Sequence, residues 1–377
     1  MTSASPTLRE GRGQTARGGA RVSELDGLRG IAILLVLLFH FTPASGALHP
    51  LAQVFQVGWI GVDLFFVLSG YLITGILLDS AGRPHYYRNF IVRRSLRIFP
   101  LYYACLLLYG YLTFFPSPVR WGEFVGAGDA RWYLFYVGNV WAFLRNAWPG
   151  AAILTPLWSL QVEEQFYWSY PFLVRAVKRR TLAVILLASV AAALVVRIIL
   201  AFAMPANAVG AYVLMPCRMD ALAMGGLVAI AAREAPGWLK HPWIGRLTLL
   251  CAAIFVAVCL FVSETPWSRA MRTFGYSAID LAFTGVLILL IGRRQPLLLR
   301  ICRWRWLVWL GIISYGLYLL HVPALTVADR LALALHLAAR GSGTFFLAMG
   351  IAVGAASLSW VAFESQVLRL KNRFTAR

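Results

Sequence analysis

The chain has 377 residues, of which 60% are hydrophobic and only 13% are charged. A soluble domain carries about 25% charged residues, so this composition excludes a water-soluble fold and predicts an integral membrane protein. The formal net charge of +20 does not indicate a nucleic-acid-binding protein. The basic residues lie in short blocks between apolar runs, which is the pattern that membrane orientation produces.

The predicted transmembrane elements follow one another along almost the whole chain. A polar, basic N-terminal tail over 1–23 precedes them, and a basic C-terminal tail over 368–377 follows them. The fold class is therefore all-α, a transmembrane bundle of about ten helices within one domain over 24–367. In chain order the apolar runs lie at 30–46, 54–78, 98–115, 156–174, 181–203, 210–232, 247–263, 273–292, 306–327 and 343–365.

A further aromatic segment at 132–148 is ambiguous, and the distribution of Lys and Arg decides its placement. If it does not cross, ten helices put both termini in the cytoplasm together with most of the 35 basic residues. If it crosses, the basic block at 175–180 moves to the outer side, against the positive-inside rule. We therefore predict that the segment lies in the outer interface, where Trp132, Trp141 and Trp148 suit the aromatic belt.

Arg29 and His40 are the first ionisable pair at the predicted spans, where such residues are costly and mark functional sites. Eleven residues of helix make three turns plus about 20°, so the two side chains share one face about 16 Å apart. A neutral imidazole can accept a proton from a hydroxyl near neutral pH. The alternatives are an orientation charge for Arg29, a packing role for His40, and a cleavable signal peptide for the whole stretch.

Glu163 and Glu164 are adjacent carboxylates in an apolar run. On a helix they point about 100° apart, so we expect only Glu163 to face the same interior polar site as Ser159. The alternative is that both carboxylates lie at the outer interface in contact with water.

Ser314, Tyr318 and His321 are spaced at i, i+4 and i+7, which predicts a polar stripe on one helix face. Packing within the bundle is the alternative role for this stripe. Asp63, and Arg218 with Asp220, are further charges in apolar runs. Because Arg218 and Asp220 are opposite charges two residues apart, we expect these two to pair with other helices.

Arg93, Arg94 and Arg97 lie just before a predicted membrane entry, with Arg94 and Arg97 on one helix face. Guanidinium groups suit phosphate and pyrophosphate, because their planar N–H groups bind two oxygens at once. Orientation charge alone is the alternative.

In their order and spacing, these motifs resemble those of the membrane acyltransferase-3 family from residue 24 to about 365. The matching stretches are ELDGLRG at 24–30, GVDLFFVLSGYLIT at 61–74, Arg93–Tyr102, WSLQVEEQFY at 158–167, RMDALAMG at 218–225 and SYGLYLLH at 314–321.

The resemblance implies transfer of an acyl group, commonly acetyl from acetyl-CoA, to a hydroxyl of a glycan, a lipid-linked sugar or a small natural product. It implies that Arg29 and His40 are the family's Arg–His pair and that Arg94 and Arg97 are its cytoplasmic arginine motif. It also implies a multi-pass protein of the bacterial inner membrane. Some relatives carry an appended extracytoplasmic hydrolase-like domain, and a chain of this length would leave acceptor specificity to its loops and pore.

We therefore expect Arg93, Arg94 and Arg97 to bind the phosphates of acyl-CoA on the cytoplasmic side, and Arg29 to bind CoA or stabilise charge. His40, oriented by Glu163, would deprotonate the acceptor hydroxyl from the outer side, with His321 as a third catalytic residue. Direct transfer and an acyl-enzyme on Ser69, Ser159 or Ser314 both remain open. No permanently bound cofactor and no metal site are expected, because the five cysteines show no paired ligand spacing.

A transporter or flippase is the main alternative function, since intramembrane charges also mark substrate pathways. Transporters usually contain inverted repeats, and no such repeat is evident in this sequence. A third possibility, a membrane sensor without enzymatic activity, would not need the set of Arg29, His40 and Glu163.

Overall fold

A computed structural model describes residues 22–114, 130–149, 152–238, 267–293 and 295–370, together with the isolated positions 241, 243, 246, 250, 253 and 374. Within these residues the regular structure is helical, as the sequence predicts, apart from one isolated bridge between Ser45 and Gly341. Most of the predicted span at 247–263 and most of the two terminal tails lie outside the described residues.

Helices occupy most of the described chain. The first half contains α1 (Ser23–His40), α2 (Ala52–Gln56), α3 (Gly61–Ser80), α4 (Tyr86–Phe114), α5 (Ala130–Leu134), α6 (Gly138–Arg145), α7 (Leu157–Ala176) and α8 (Arg179–Ala203). The second half contains α9 (Ala208–Val213), α10 (Met215–Glu234), α11 (Tyr276–Ile291), α12 (Pro296–Cys302), α13 (Arg305–Ile312), α14 (Ser314–Ala334), α15 (Ser342–Ser359) and α16 (Ser365–Arg369). π-helical turns precede α11 and join α15 to α16.

Six helical segments among the described residues are long and apolar enough to cross a membrane. Each overlaps a predicted span, which confirms a polytopic, all-helical membrane architecture. The total of about ten crossings and the cytoplasmic position of both termini stay predictions. The six segments are His49–Ser80, Arg179–Ala203, Ala208–Glu234, Met271–Ile291, Ser314–Ala334 and Ser342–Arg369.

Helix α4 is longer than the sequence predicts. It begins at Tyr86 instead of near residue 98, and it continues through the arginines and Pro100 to Phe114. Arginine favours helix, so the arginine stretch, in which Arg94 and Arg97 are predicted to share one helix face, joins the apolar run in a single helix. Its 29 residues extend over about 43 Å, which exceeds the roughly 30 Å of bilayer hydrocarbon. The arginine turn can therefore reach the membrane surface while the remainder of α4 crosses.

The predicted run at 306–327 is divided in the structure. Helix α13 ends at Ile312 and α14 begins at Ser314, where the Ser314 hydroxyl donates a hydrogen bond of 2.9 Å to the Gly311 carbonyl. The membrane-spanning part is α14, which continues to Ala334. Hydropathy does not predict this break, because the residues around it are as hydrophobic as those of a continuous helix.

The aromatic segment at 132–148 forms only the short helices α5 and α6, of five and eight residues. Eight residues rise about 12 Å, so neither helix crosses a bilayer. Trp141 is buried in the protein, whereas Trp132 and Trp148 are partly exposed. Trp141 is therefore a core residue and not part of an outward-facing aromatic belt.

Buried ion pairs connect the membrane-spanning helices. Arg218 of α10 pairs with Asp63 of α3, and Arg197 of α8 donates to Asp220 of α10 at 2.8 Å; all four side chains are fully buried. The Ser277 hydroxyl of α11 also donates to Asp220 at 2.6 Å. Arg218 and Asp220 thus pair with other helices, as expected from sequence.

Candidate active site

The inner cavity, of about 720 Å³, lies between α1, α3, α4, α7 and α14. Four predicted site residues line it: Arg29 from α1, Arg94 and Arg97 from α4, and Glu163 from α7. Three guanidinium groups with one carboxylate make its wall positive, which favours an anionic ligand.

Glu163 faces this inner cavity together with Ser159, as predicted. Its Oε1 accepts a hydrogen bond of 2.5 Å from the Ser69 hydroxyl of α3, and the Tyr167 hydroxyl lies 3.4 Å from the same Ser69 oxygen. The guanidinium group of Arg94 lies 5.6 Å from the centre of the Tyr167 ring. Glu164 is also buried but does not line the cavity, so the two carboxylates have different surroundings.

Arg93 lies apart from Arg97 although both belong to α4. It lines a neighbouring cavity of about 610 Å³ together with Arg83 and Asn89. Arg94 lines both this cavity and the inner cavity. Arg94 therefore lies between two cavities. Together they are lined by five arginines: Arg29, Arg83, Arg93, Arg94 and Arg97.

The two predicted catalytic histidines lie together. The rings of His40 on α1 and His321 on α14 have centroids 4.5 Å apart and planes inclined by 73°. The Nδ1 of His40 lies 2.9 Å from the Val36 carbonyl, and the Nδ1 of His321 lies 2.7 Å from the Tyr318 carbonyl. Since a carbonyl only accepts, each neutral ring carries its proton on Nδ1, which leaves Nε2 free to accept a proton.

His40 lines the outer cavity, of about 690 Å³, and Glu163 does not. The hydrogen bonds described for these two side chains do not join Glu163 to His40, so an orienting role of Glu163 stays a prediction. The imidazole of His40 is held by the Val36 carbonyl of its own helix, while Glu163 is bonded by Ser69 and lies with the arginines of the inner cavity.

Tyr318 stands between the two cavities. It lines both of them, as does Val62. Its hydroxyl donates to the Pro156 carbonyl at 2.9 Å and lies 2.6 Å from the Ser159 hydroxyl, which can donate to it. The wall between the arginine-lined space and the histidine-lined space is thus about one side chain thick.

Other nucleophiles and metal ligands add no second centre in the described part of the chain. No group of three His, Cys, Asp or Glu residues there is arranged to hold a metal ion. Cys302, outside the membrane-spanning helices, is a buried thiol, and burial together with nearby Glu24 raises its pKa to about 11. It is therefore protonated at neutral pH and not an activated nucleophile.

Sequence reasoning did not predict the outer cavity as a space with its own aromatic wall. Trp59, Trp158 and Tyr212 belong to separate segments and meet only in the folded chain. No periodic or charged pattern links them, because aromatic residues are frequent throughout this sequence.

Comparison with known proteins finds one acyltransferase family model and several proteins named as O-acetyltransferases. The family model described as an acyltransferase domain matches residues 22–364. The chain is 31% identical over 329 residues to YrhL of Bacillus subtilis, named as a provisional peptidoglycan O-acetyltransferase, covering 81% of this chain and 48% of that protein. It is 30% identical over 332 residues to the peptidoglycan O-acetyltransferase OatA of Listeria monocytogenes, covering 81% and 50%.

A shorter similarity extends to O-acetyltransferase OatA of Staphylococcus aureus, at 36% identity over 163 residues, or 40% of this chain and 24% of that protein. The chain spans about half the length of the first two relatives. No solved structure matches it.

Proposed function

The chain belongs to the acyltransferase family whose model matches residues 22–364, and from this membership we propose that it is a membrane-embedded O-acyltransferase. In this proposal it moves an acetyl group from acetyl-CoA to a hydroxyl of a cell-envelope glycan in the bacterial inner membrane. The observation that carries the proposal is the thin wall at Tyr318, with an arginine-lined cavity on one side and His40 on the other.

The donor fits the arginine-lined side. CoA carries several phosphate groups, and guanidinium groups bind phosphate through paired, charge-assisted hydrogen bonds. We place the nucleotide part in the cavity of Arg93 and the acyl-bearing arm in the inner cavity, with Arg94 contacting both parts. The arm then ends near Ser159 and Tyr318, and its thioester lies at the wall to the outer cavity.

The acceptor fits the side of His40. Because Nδ1 of this ring is held by the Val36 carbonyl, Nε2 is the atom that takes the proton from the acceptor hydroxyl. The hydroxyl oxygen forms a bond with the acetyl carbon and the carbon–sulfur bond of the thioester breaks. The proton passes from His40 to the departing CoA sulfur, so that CoA leaves as a thiol. His321, in edge contact with His40, fixes the position of the ring.

The acceptor class follows from the names of the relatives, two of which refer to peptidoglycan. Peptidoglycan is a glycan with free hydroxyl groups outside the plasma membrane, which agrees with the proposed position of His40 towards the outer leaflet. We therefore propose a hydroxylated glycan as the partner and acetyl-CoA as a co-substrate that is not permanently bound.

The test uses the purified protein reconstituted in liposomes with acetyl-CoA labelled in the acetyl group and a soluble peptidoglycan disaccharide. We expect the wild-type protein to transfer label to the disaccharide. We expect His40→Gln to lower the turnover by about 100- to 10,000-fold, the usual contribution of a general base. His241→Gln, at a histidine that lines neither cavity, is the matched control and should transfer label at the wild-type rate.

Two results would contradict the proposal. Full transfer by a folded His40→Gln variant would remove His40 from the mechanism. Accumulation of an unmodified substrate inside the liposomes, without loss of label from acetyl-CoA, would instead identify a transporter, because transport leaves the thioester intact.

A further inference from the structure

The outer cavity has an aromatic wall that the chemistry at His40 does not require. Its aromatic residues surround Tyr212, whose ring centroid lies 4.6 Å from that of Trp158, 5.2 Å from that of Trp267 and 6.1 Å from those of Trp59 and Trp148. Trp148 and Trp267 also contact each other, at 5.8 Å. All of these side chains line the same space of about 690 Å³.

The members of this wall differ in burial. Trp59, Trp158 and Tyr212 are buried, as expected for aromatic residues that pack the bundle. Trp148 and Trp267 remain partly exposed and lie outside the long membrane-spanning helices. These two side chains therefore offer ring surface that the protein itself does not cover in its described part.

The chemistry of the lining distinguishes between possible occupants. Among the described residues, those lining the outer cavity include no Lys, Arg, Asp or Glu, in contrast to the three arginines of the inner cavity. A phosphate or nucleotide therefore has no charged partner among these lining residues. An acyl chain would need no hydrogen-bond donors, yet the lining includes Thr155 and four tryptophans, residue types that carry a hydroxyl or an indole N–H donor.

A pyranose ring matches this lining. One face of such a ring presents C–H groups, which pack against the electron-rich faces of aromatic rings. Its rim carries hydroxyl groups that need hydrogen-bond partners, since unpaired polar groups are costly to bury. Tryptophan supplies both functions, with a large apolar face and one N–H donor.

We propose that the outer cavity is the acceptor subsite, in which one pyranose ring of the glycan stacks on Trp148 and Trp267 and directs a hydroxyl to His40. This inference rests on the proposed function and adds the residues that select the acceptor. The same stacking holds the reactive hydroxyl close to Tyr318, where the donor thioester ends.

The test measures acceptor use and acceptor binding separately, with the disaccharide of N-acetylglucosamine and N-acetylmuramic acid as the probe. Trp148→Ala should raise the KM for the disaccharide about ten-fold, corresponding to about 1.4 kcal/mol of lost stacking, with the KM for acetyl-CoA changing less than about two-fold. Trp148→Phe should recover most of the loss, because a phenyl ring still stacks. Trp309→Ala is the matched control, since this exposed tryptophan lines neither cavity.

Binding is read from the quenching of tryptophan fluorescence by the disaccharide, which should be present in the wild-type protein and reduced in Trp148→Phe. This readout does not depend on turnover. Quenching without any acetyl transfer would support the subsite and contradict the proposed function. An unchanged KM in both Trp148→Ala and Trp267→Ala, or transfer by a wild-type protein that shows no quenching, would overturn the subsite and leave the proposed function standing.

Discussion

The arginines of the inner cavity concentrate positive charge at a place where burial makes charge costly. Arg94 and Arg97 both line this cavity, and the Arg29 side chain, only 18% exposed, lies 3.5 Å from Asp26 of its own helix. A protein that needed these residues only for membrane orientation could leave all of them in water. Their convergence on one cavity is the arrangement that an anionic ligand requires.

Arg94 provides the first prediction because it borders both the inner cavity and the cavity of Arg93. Arg94→Gln should raise the KM for acetyl-CoA about 10- to 100-fold, since a hydrogen bond to a charged group contributes about 1.5–3 kcal/mol. The KM of Arg94→Lys should lie between those of the wild-type protein and Arg94→Gln, because lysine keeps the charge and loses the paired geometry. The measurement is the initial rate against acetyl-CoA concentration at fixed ionic strength.

The matched control for Arg94 is Arg88→Gln. Arg88 lies on the same helix, is exposed and lines neither cavity. The KM of the Arg88→Gln variant for acetyl-CoA should stay within about two-fold of the wild-type value, since exposed charges contribute little. Equal effects of the two substitutions would show that the net charge of α4, and not a phosphate contact at Arg94, controls donor binding.

The sequence predicts which residues face the site better than it predicts the hydrogen-bond partners of those residues. The i, i+1 geometry correctly selected Glu163 over Glu164 as the residue facing the polar cavity. The partner of Glu163 is Ser69, 94 positions earlier in the chain, and periodicity within one helix carries no information about such a contact. The separation of Glu163 from His40 likewise depends on how α1, α7 and α14 pack.

At the scale of elements, close backbone contact between α3 and α10 fixes part of the scaffold behind both cavities. A Cβ atom on Gly70 would lie 2.0 Å from the Leu222 carbonyl oxygen, and one on Gly225 would lie 2.0 Å from the Val67 carbonyl oxygen. Small residues allow membrane helices to approach closely where lipid supplies no hydrophobic driving force. The buried pair of Asp63 and Arg218 joins the same two helices.

The second prediction concerns this interface. Gly225→Val should destabilise the protein by at least about 3 kcal/mol, the upper part of the usual range for overpacking, because the new side chain meets backbone and not a flexible side chain. The measurement is thermal unfolding in detergent, followed by circular dichroism. Gly350→Val on α15 is the control, since a Cβ placed there meets no atom of the described residues within 4 Å apart from its own stretch of helix. Equal unfolding temperatures for the two variants would contradict the close α3–α10 contact.

The elements themselves were predictable where hydropathy and helicity coincide. The predicted runs at 181–203 and 210–232 match α8 and the segment Ala208–Glu234 closely. The start of α4 at Tyr86 was not predictable in this way, because its arginines favour a helix but oppose membrane burial. Hydropathy measures only the opposition of arginine to membrane burial and not its preference for helix.

At the scale of the whole molecule, the two cavities lie towards opposite ends of α1. Arginine-lined space lies near the N-terminal ends of α1 and α4, and His40 lies at the C-terminal end of α1, where Arg340 donates to its carbonyl. The proposed reaction needs the first space to open to the cytoplasm, where acetyl-CoA is present, and the second to open outwards. The arrangement of charged loops predicts the same orientation.

The last prediction tests this orientation with single cysteines and a membrane-impermeant maleimide. Ala47 lies in the exposed loop after α1, and Lys178 lies in the exposed loop between α7 and α8. Ala47→Cys should react in intact cells, whereas Lys178→Cys should react only in inverted membrane vesicles, because four crossings precede it when 132–148 stays at the interface. The wild-type protein, with its five cysteines, gives the background signal on each side.

Labelling of Lys178→Cys in intact cells would require an odd number of crossings before α8 and would move the basic block at 175–180 to the outside. The donor experiment completes the test, because acetyl-CoA does not cross lipid. In inverted vesicles, where the cytoplasmic face is outside, added acetyl-CoA should be consumed. In sealed vesicles of the opposite orientation it should remain intact until the membrane is made permeable. Consumption in the second case without permeabilisation would place the arginine-lined cavity on the outer side.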